Sequence, residues 1–170
     1  MLPDEPSGPD LAGVVADAQA VGLEYVVIGG FSVIFHGYVR ATRDSDLLVA
    51  DGPEADQALL RFLLRMAAVR VSDGKILTLQ DVAQAEHIRV VGRHGIVDLL
   101  RGGLPPLDFD TVHGQAETAE WQGQTVRFAS LASLVAFKRL AGRPQDRTDL
   151  EELAAIYETL PIESVPGLDS

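Results

Sequence analysis

Two aspartates in the first half of the chain have the residue type and the spacing of a metal site. They lie two positions apart in Asp44-Ser45-Asp46-Leu47-Leu48-Val49, a run typical of a β-strand. Successive side chains of a strand point to opposite faces, so Asp44 and Asp46 share one face, with their stems about 6–7 Å apart. Two such carboxylates can converge on a magnesium ion bound to phosphate oxygens. Two solvated aspartates at an exposed strand start explain the pair equally well, and the spacing alone does not decide between the two.

A glycine pair lies upstream, between a β-type run at Tyr25–Ile28 and a segment at Phe31–His36 that fits one or two helical turns. Glycine lets the backbone turn sharply and approach a phosphate without a Cβ in the way. The helix start after Gly29-Gly30 adds free N–H groups and a positive dipole end. Taken alone the pair is a weak signal, because most such pairs are ordinary turns. The chain has no G-x-G-x-x-G run and no Walker A lysine, so dinucleotide and P-loop sites have no support.

A lysine in the C-terminal third is placed to need a charged partner. Lys138 falls in the middle of the apolar stripe of a helix that the sequence predicts from Leu131 to about Ala141, with Ser130 as its cap. A lysine that points inward must find a partner or lose its proton. One partner is a nucleotide triphosphate, and the other is a buried pair with Asp146 or Asp149. The sequence leaves these alternatives equal.

The remaining patterns predict the elements that position these residues, with one clear amphipathic helix after Pro53. Further helices are expected at Leu11–Val21 and Asp146–Thr159, and strands at Ile76–Leu79, His87–Val91, Ile96–Leu100 and Thr125–Phe128, with a hairpin turn at Arg93-His94-Gly95. This mixture predicts a single α/β (α+β) domain over residues 1–170, in which helices pack on a mixed β-sheet. Residues 1–9 are expected to be a flexible lead-in, residues 130–159 a C-terminal helical pair, and the residues after Pro161 a loose tail.

Composition limits the ligands and the setting. The formal net charge is −11, from 25 acidic and 14 basic residues, so we expect no extended nucleic-acid surface. A small anionic ligand remains compatible if a metal and a few inward cations balance its charge. The absence of cysteine excludes disulfides, thiolate catalysis and cysteine zinc sites. The apolar runs are too short to span a bilayer and the N-terminal residues do not resemble a signal peptide, so we expect a cytoplasmic protein without a membrane partner.

The segment from Val27 to Val49 resembles the signature of small bacterial nucleotidyltransferases of the polymerase-β-like superfamily, including AbiEii-type toxin enzymes. That signature joins a Gly-Gly turn, a His-Gly, an Arg-x-Thr and an Asp-x-Asp on the next strand. The run Ser130–Leu150 is similar to the end of the same group, so the resemblance covers most of the chain from Tyr25 to Leu153. Ser45 replaces the usual aliphatic residue and Ser32 an alanine that is often found there, and neither change removes a ligand.

The resemblance implies a nucleotidyltransferase-like fold and assigns roles to matching positions. Gly29, Gly30 and Ser32 would cradle the β and γ phosphates, while Asp44 and Asp46 would bind the metal. Asp98, in Ile96-Val97-Asp98-Leu99-Leu100, is the best candidate for the third carboxylate, as metal ligand and base. Its alternative role is a strand-end aspartate that binds backbone amides. Arg40 and Thr42 would orient the Asp-x-Asp strand or touch phosphate, and a structural anchor explains them equally well.

The implied activity is transfer of a nucleoside monophosphate (NMP) from a nucleoside triphosphate (NTP) to an unidentified hydroxyl-bearing acceptor, with release of pyrophosphate. The cofactor would be Mg²⁺, with two ions and with Mn²⁺ as the alternative metal. The acceptor could be a small molecule, a protein side chain or an RNA end, and the setting a toxin–antitoxin-type system. The chain leaves little room for an acceptor domain, so we expect a homodimer or a partner chain to complete the site. The alternative function is a non-catalytic nucleotide- or partner-binding module on the same fold.

Overall fold

The computed structural model describes residues 8–169. Residues 1–7 of the expected lead-in therefore lie outside the described part of the chain. Within that part the helices and strands occur in the following order: α1 (Leu11–Ala20), β1 (Tyr25–Ile28), α2 (Gly29–Phe35), β2 (Asp44–Val49), α3 (Pro53–Arg65), β3 (Val69–Arg70), α4 (Leu79–Gln84), β4 (His87–Gly92), β5 (Gly95–Arg101), α5 (Phe109–Gln115), β6 (Glu117–Trp121), β7 (Gln124–Phe128), α6 (Leu131–Ala141) and α7 (Pro144–Tyr157).

The strands form one mixed sheet of seven in the order β3-β4-β5-β2-β1-β7-β6. At its centre β2 pairs antiparallel with β1 and parallel with β5. The parallel register places Asp46 beside Asp98. The hairpin of β4 and β5 pairs Gly92 with Gly95 and, in the same register, Arg89 with Asp98. Three neighbouring strands therefore carry charged residues in one row across the sheet.

Helices cover both faces of the sheet. Successive side chains of β2 point alternately to one face and to the other. Leu47 and Val49 belong to the core that α1 and α3 cover, whereas Leu48 belongs to the core that includes Phe109 and Val112 of α5 and Phe137 of α6. Residues two apart on a strand share a face. Asp44 and Asp46 therefore lie on the α5–α6 side, at the end of β2 where this apolar core stops.

Capping residues and a proline determine where α6 ends and α7 begins. Ser130 caps α6 by accepting a hydrogen bond from the Ser133 amide, and Gly142 ends the helix in the left-handed region at φ 60°. Pro144 then occupies the start of α7, where its missing N–H costs little. The tight connection folds α7 back against α6. Lys138 thereby faces the first turns of α7.

The structure confirms most predicted elements and corrects two. The predicted strand at Ile76–Leu79 is wrong, because Thr78 and Asp81 form a capping box that starts α4 at Leu79. The tail after Pro161 is not loose, since Val165 is 1% exposed and packs with Leu107 and Ala136. The sequence reasoning missed four elements, β3, α4, α5 and β6. Among residues 8–169, none of the helices combines the length and the apolar character that crossing a membrane requires.

Candidate functional site

Three carboxylates converge at one end of the central strands. Asp44 and Asp46 of β2 and Asp98 of β5 each offer an oxygen atom that lies within 4.8 Å of the other two. Burial, together with repulsion by Asp44 and Asp98, raises the pKa of Asp46 to about 7. Burial and the neighbouring Asp44 carboxyl also raise the pKa of Asp98. The three crowded acids offer only hard oxygen ligands, so they fit a divalent cation such as Mg²⁺ or Mn²⁺.

Two basic side chains of β4, which the sequence reasoning did not assign to the site, reach the same acids. Arg89 places Nη1 3.0 Å from Oδ2 of Asp44 and 2.5 Å from Oδ2 of Asp98. His87 places Nε2 3.2 Å from Oδ1 of Asp98. The signal was present in the predicted turn at Arg93-His94-Gly95, because a hairpin closed there sets Arg89 opposite Asp98. Arg89 thus gives part of the charge balance that a metal would supply.

The glycine turn presses directly against the acids. Gly29 has φ +68°, and a Cβ at this position would collide with the Asp46 carboxylate. A Cβ on Gly30 would lie 2.6 Å from Oγ1 of Thr42. Both positions therefore require glycine because β2 and the preceding loop approach the turn so closely. Thr42 donates a hydrogen bond from Oγ1 to the Asp44 carbonyl at 3.1 Å, so it orients the first residue of β2.

Lys138 is held by two aspartates of α7. Its Nζ lies 2.8 Å from Oδ1 of Asp146 and 2.9 Å from Oδ2 of Asp149, and all three side chains are buried. Of the two partners that the sequence left open, the structure contains the aspartates. Burial raises the pKa of both carboxyls, but hydrogen bonds that include one from Lys138 outweigh it and leave each pKa below its usual value.

Two arginines complete the ion cluster of Lys138, Asp146 and Asp149. Arg40 binds Asp149 through Nε at 2.7 Å and Nη2 at 2.9 Å, so it acts as a structural anchor between the loop before β2 and α7. Arg143 donates from Nε to Asp146 at 2.8 Å, yet its side chain is 73% exposed. Three cations meet two carboxylates here. The cluster therefore has one excess positive charge beside the acids.

Ser32 and His36 are placed away from the acids. Ser32 is fully buried in α2, and its Oγ has no hydrogen-bond partner among residues 8–169. Ser32 does not line the cleft that contains the acids. His36 places Nε2 2.8 Å from the Ala129 carbonyl, so it packs between elements, as expected for a histidine without a ligand role.

The acids form one wall of an open cleft of about 660 Å³. Apolar side chains such as Leu100 and Phe137 form part of the other walls. The remaining lining includes the Gly29-Gly30 turn and the polar or basic side chains of Arg40, Thr42, Arg43, His87, Arg89, Lys138 and Arg143. A cleft with carboxylates on one side and cations on the other suits a polyanion that is bound with a divalent cation.

Solved nucleotidyltransferases have this architecture. The chain is similar to ANT(2")-Ia, solved in complex with adenylyl-2"-tobramycin, at 14% identity over 86% of each chain with a TM-score of 0.57. It is similar to LnuA, a lincosamide antibiotic adenylyltransferase solved with lincomycin bound, at 13% identity over 86% of this chain and 95% of that one, with a TM-score of 0.59. An antigenic nucleotidyltransferase-like protein from Paracoccidioides brasiliensis gives 16% identity, coverage of 89% and 78%, and a TM-score of 0.54.

The fold is that of the nucleotidyltransferases. The expected fold class is thereby confirmed, with a mixed sheet and helices packed on it. The sequence by itself matches no protein-family model and is not significantly similar to any curated protein. Sequence identities of 13–16% establish a shared fold and no more. The AbiEii-type subgroup stays a prediction.

Proposed function

We propose that this chain is a magnesium-dependent nucleotidyltransferase that moves NMP from an NTP to a hydroxyl-bearing acceptor and releases pyrophosphate. The observation that carries the proposal is the convergence of Asp44, Asp46 and Asp98, whose oxygens lie within 4.8 Å of one another at the edge of the cleft. Three mutually repelling carboxylates are costly to bury without a cation, so their arrangement favours a metal site over chance.

The three carboxylates would hold the metal, and the cationic walls would hold the triphosphate. When bound, Mg²⁺ supplies positive charge that screens the phosphates of the nucleotide during transfer. The Gly29-Gly30 turn presents backbone without side chains beside Asp46. Lys138 is held between Asp146 and Asp149, whereas Arg143 is largely exposed, so its guanidinium is the group of this cluster that would reach the phosphates. Thr42, which lines the cleft, is the remaining candidate for phosphate contact that the family resemblance implies, whereas Ser32 is fully buried and does not line it.

Asp98 is the proposed base of the reaction. Burial and the neighbouring Asp44 carboxyl raise the pKa of Asp98, which makes it a better proton acceptor than an ordinary aspartate. The acceptor oxygen forms a bond to the α-phosphorus, and its proton passes to the Asp98 carboxylate. The bond from the α-phosphorus to the bridging oxygen breaks, and pyrophosphate leaves with that electron pair. The products are the NMP ester of the acceptor and pyrophosphate.

The direct test is incubation of the protein with each labelled NTP, Mg²⁺ and cell extract, followed by a search for a labelled product. Asp98→Asn should lower product formation by about 10²–10⁴-fold and keep much of the NTP affinity, because it removes a base and leaves the other two carboxylates. Asp110→Asn, an exposed position on α5, is the matched control and should be fully active. Equal product from Asp98→Asn and the parent would refute the role of Asp98.

A second candidate function is a non-catalytic nucleotide- or partner-binding module. The observation that favours it is Arg89, which bridges Asp44 and Asp98 and so gives these acids a cation of the chain's own. A module of this kind would bind Mg–NTP without turnover. Binding of Mg–NTP by calorimetry, combined with no labelled product from any extract, would select this function over the enzyme.

The cellular setting belongs to the same proposal. The resemblance of residues 27–49 to AbiEii-type enzymes supports a cytoplasmic protein that forms the enzyme half of a toxin–antitoxin-type pair. A second copy or a partner chain would then cover the open side of the cleft.

A further inference from the structure

A second cavity, of about 800 Å³, adjoins the cleft that contains the acids. The two share Leu100 and Phe137 in their walls. Leu100 lies two positions after Asp98 on β5, so the two side chains share one face of the sheet. Glu86, in the wall of the second cavity, directly precedes His87, which contacts Asp98. The cavity therefore begins beside the proposed base.

Apolar side chains form much of the lining of this cavity, and some of them are open to solvent. Leu104 and Leu140 are 69% and 49% exposed and stand at its sides. Leu107 and Val165 are buried and form part of its wall. A concave space of this size with apolar walls is typical of sites for drug-sized molecules. Binding of an apolar ligand would remove the exposed surface of these leucines from water, and this burial would contribute favourable free energy.

The charged groups of the cavity favour a cation. Asp51 and Glu86 line it, both are exposed, and neither forms an ion pair within residues 8–169. Arg101 is the one cationic side chain in the described lining. Its guanidinium is already bound to the Asp56 carboxylate and to the carbonyls of Ala50 and Val82. The cavity consequently has two uncompensated negative charges and no free cation for a phosphate.

These features suit the cleft with the acids to the triphosphate and the second cavity to the acceptor. The triphosphate belongs in the first cleft, where the cations are, and the attacking hydroxyl must reach Asp98, which the second cavity adjoins. We infer that this cavity binds the acceptor, and that the acceptor is a small, largely apolar alcohol with a positive charge. The inference rests on the proposed function for the position of the reaction. It disfavours an RNA end as the acceptor, because Asp51 and Glu86 would repel the RNA phosphates.

The test uses two aromatic probes of similar size and opposite charge, measured by calorimetry without metal or nucleotide. Propranolol carries a naphthyl ring, a hydroxyl and an ammonium group, whereas 1-naphthoxyacetate carries the ring and a carboxylate. We expect propranolol to bind more tightly. The double variant Asp51→Asn, Glu86→Gln should weaken propranolol about fivefold, because two exposed charges are removed. Leu104→Ser should weaken both probes. The control Glu151→Gln, Glu152→Gln removes the same charge from exposed positions of α7 and should change neither affinity.

Three outcomes would overturn the inference. The first is equal affinity of the two probes, or an Asp51→Asn, Glu86→Gln variant that binds propranolol like the parent. The second is competition between propranolol and Mg²⁺ with α,β-methylene-ATP, because it would assign the cavity to the nucleoside. The third is a dimer in light scattering that becomes monomeric in Leu104→Ser, because a second copy would then occupy the cavity.

A failure of the proposed function gives a different pattern in the same titrations. If the nucleotide analogue does not bind while propranolol binds with the expected charge preference, the nucleotidyltransferase proposal fails and the ligand class of the cavity stands. If the analogue binds and the charge preference is absent, the cavity inference fails and the proposed function stands.

Discussion

Replacement of Lys138 by methionine separates the two partners that the sequence left open for this lysine. The substitution keeps most of the apolar stem and deletes the ammonium. In the structure that ammonium lies 2.8 Å from Asp146 and 2.9 Å from Asp149, both of which are almost fully buried. The variant therefore leaves two buried carboxylates with less compensation, and we expect the apo protein to lose stability.

The size of the loss follows from the partners that remain. Removing one member of a buried ion pair costs about 3–5 kcal/mol. Arg40 still binds Asp149 through two hydrogen bonds, and Arg143 still binds Asp146. Each carboxylate keeps one cation, so we expect a decrease in the free energy of unfolding near the lower end, about 3 kcal/mol.

Urea denaturation of the apo proteins measures this decrease, and a titration with Mg–NTP follows on the same samples. Arg139→Met is the matched control, because Arg139 is the next residue on α6 and pairs with the partly exposed Asp169. The control should lose much less stability, and Mg–NTP affinity of Lys138→Met should change little. A Lys138→Met protein that is as stable as the parent and binds Mg–NTP much more weakly would refute the ion-pair reasoning and assign the lysine to phosphate.

Two further predictions concern single buried groups. Because burial raises the pKa of Asp46 from 3.8 to about 7, the folded protein resists its ionisation, so apo stability should fall as pH rises from about 4 to above 7, by at most about 4 kcal/mol. Thermal melts across this range should show a smaller fall for Asp46→Asn and for the parent with Mg²⁺, and an equal fall in all three would contradict the cause. Ser32→Ala removes a buried hydroxyl without a partner in the described chain, so it should stabilise the protein by about 1 kcal/mol and leave Mg–NTP affinity unchanged. Weaker nucleotide binding by Ser32→Ala would instead place this residue at the phosphates.

Local signals predicted two elements that border the acids, β1 and α6. The Gly29-Gly30 turn fixed the end of β1, and Ser130 and Gly142 fixed both ends of α6. The strand predicted at Ile76–Leu79 is wrong because the apolar pattern was used without the Thr78 capping box, which starts a helix at Leu79. The short helix α5 gave no periodic signal of useful length.

The sequence predicted the site residues that can be recognised within a single strand, but it did not predict the contacts that depend on how two elements pair. Asp44 and Asp46 were candidates from residue type and strand spacing, the family resemblance implied their metal role and the third carboxylate Asp98, and the structure brings the three together. Arg89 was missed because its contact depends on the register of a hairpin, which residue type does not encode. The sequence did not decide whether Lys138 binds a triphosphate or an aspartate, because its partner depends on how α7 packs against α6. Helical periodicity does not predict that packing.

The central claim is that Asp44 and Asp46 hold a metal-bound nucleotide. The most direct measurement is calorimetric titration of Mg–NTP into the parent and into the double variant Asp44→Asn, Asp46→Asn, beside the charge-matched control Glu151→Gln, Glu152→Gln. The account predicts binding to the parent and the control, loss of binding in the Asp44, Asp46 variant, and thermal stability in that variant that equals or exceeds the parent's, because carboxylate repulsion is relieved. Undiminished Mg–NTP binding by the folded Asp44→Asn, Asp46→Asn protein would contradict it.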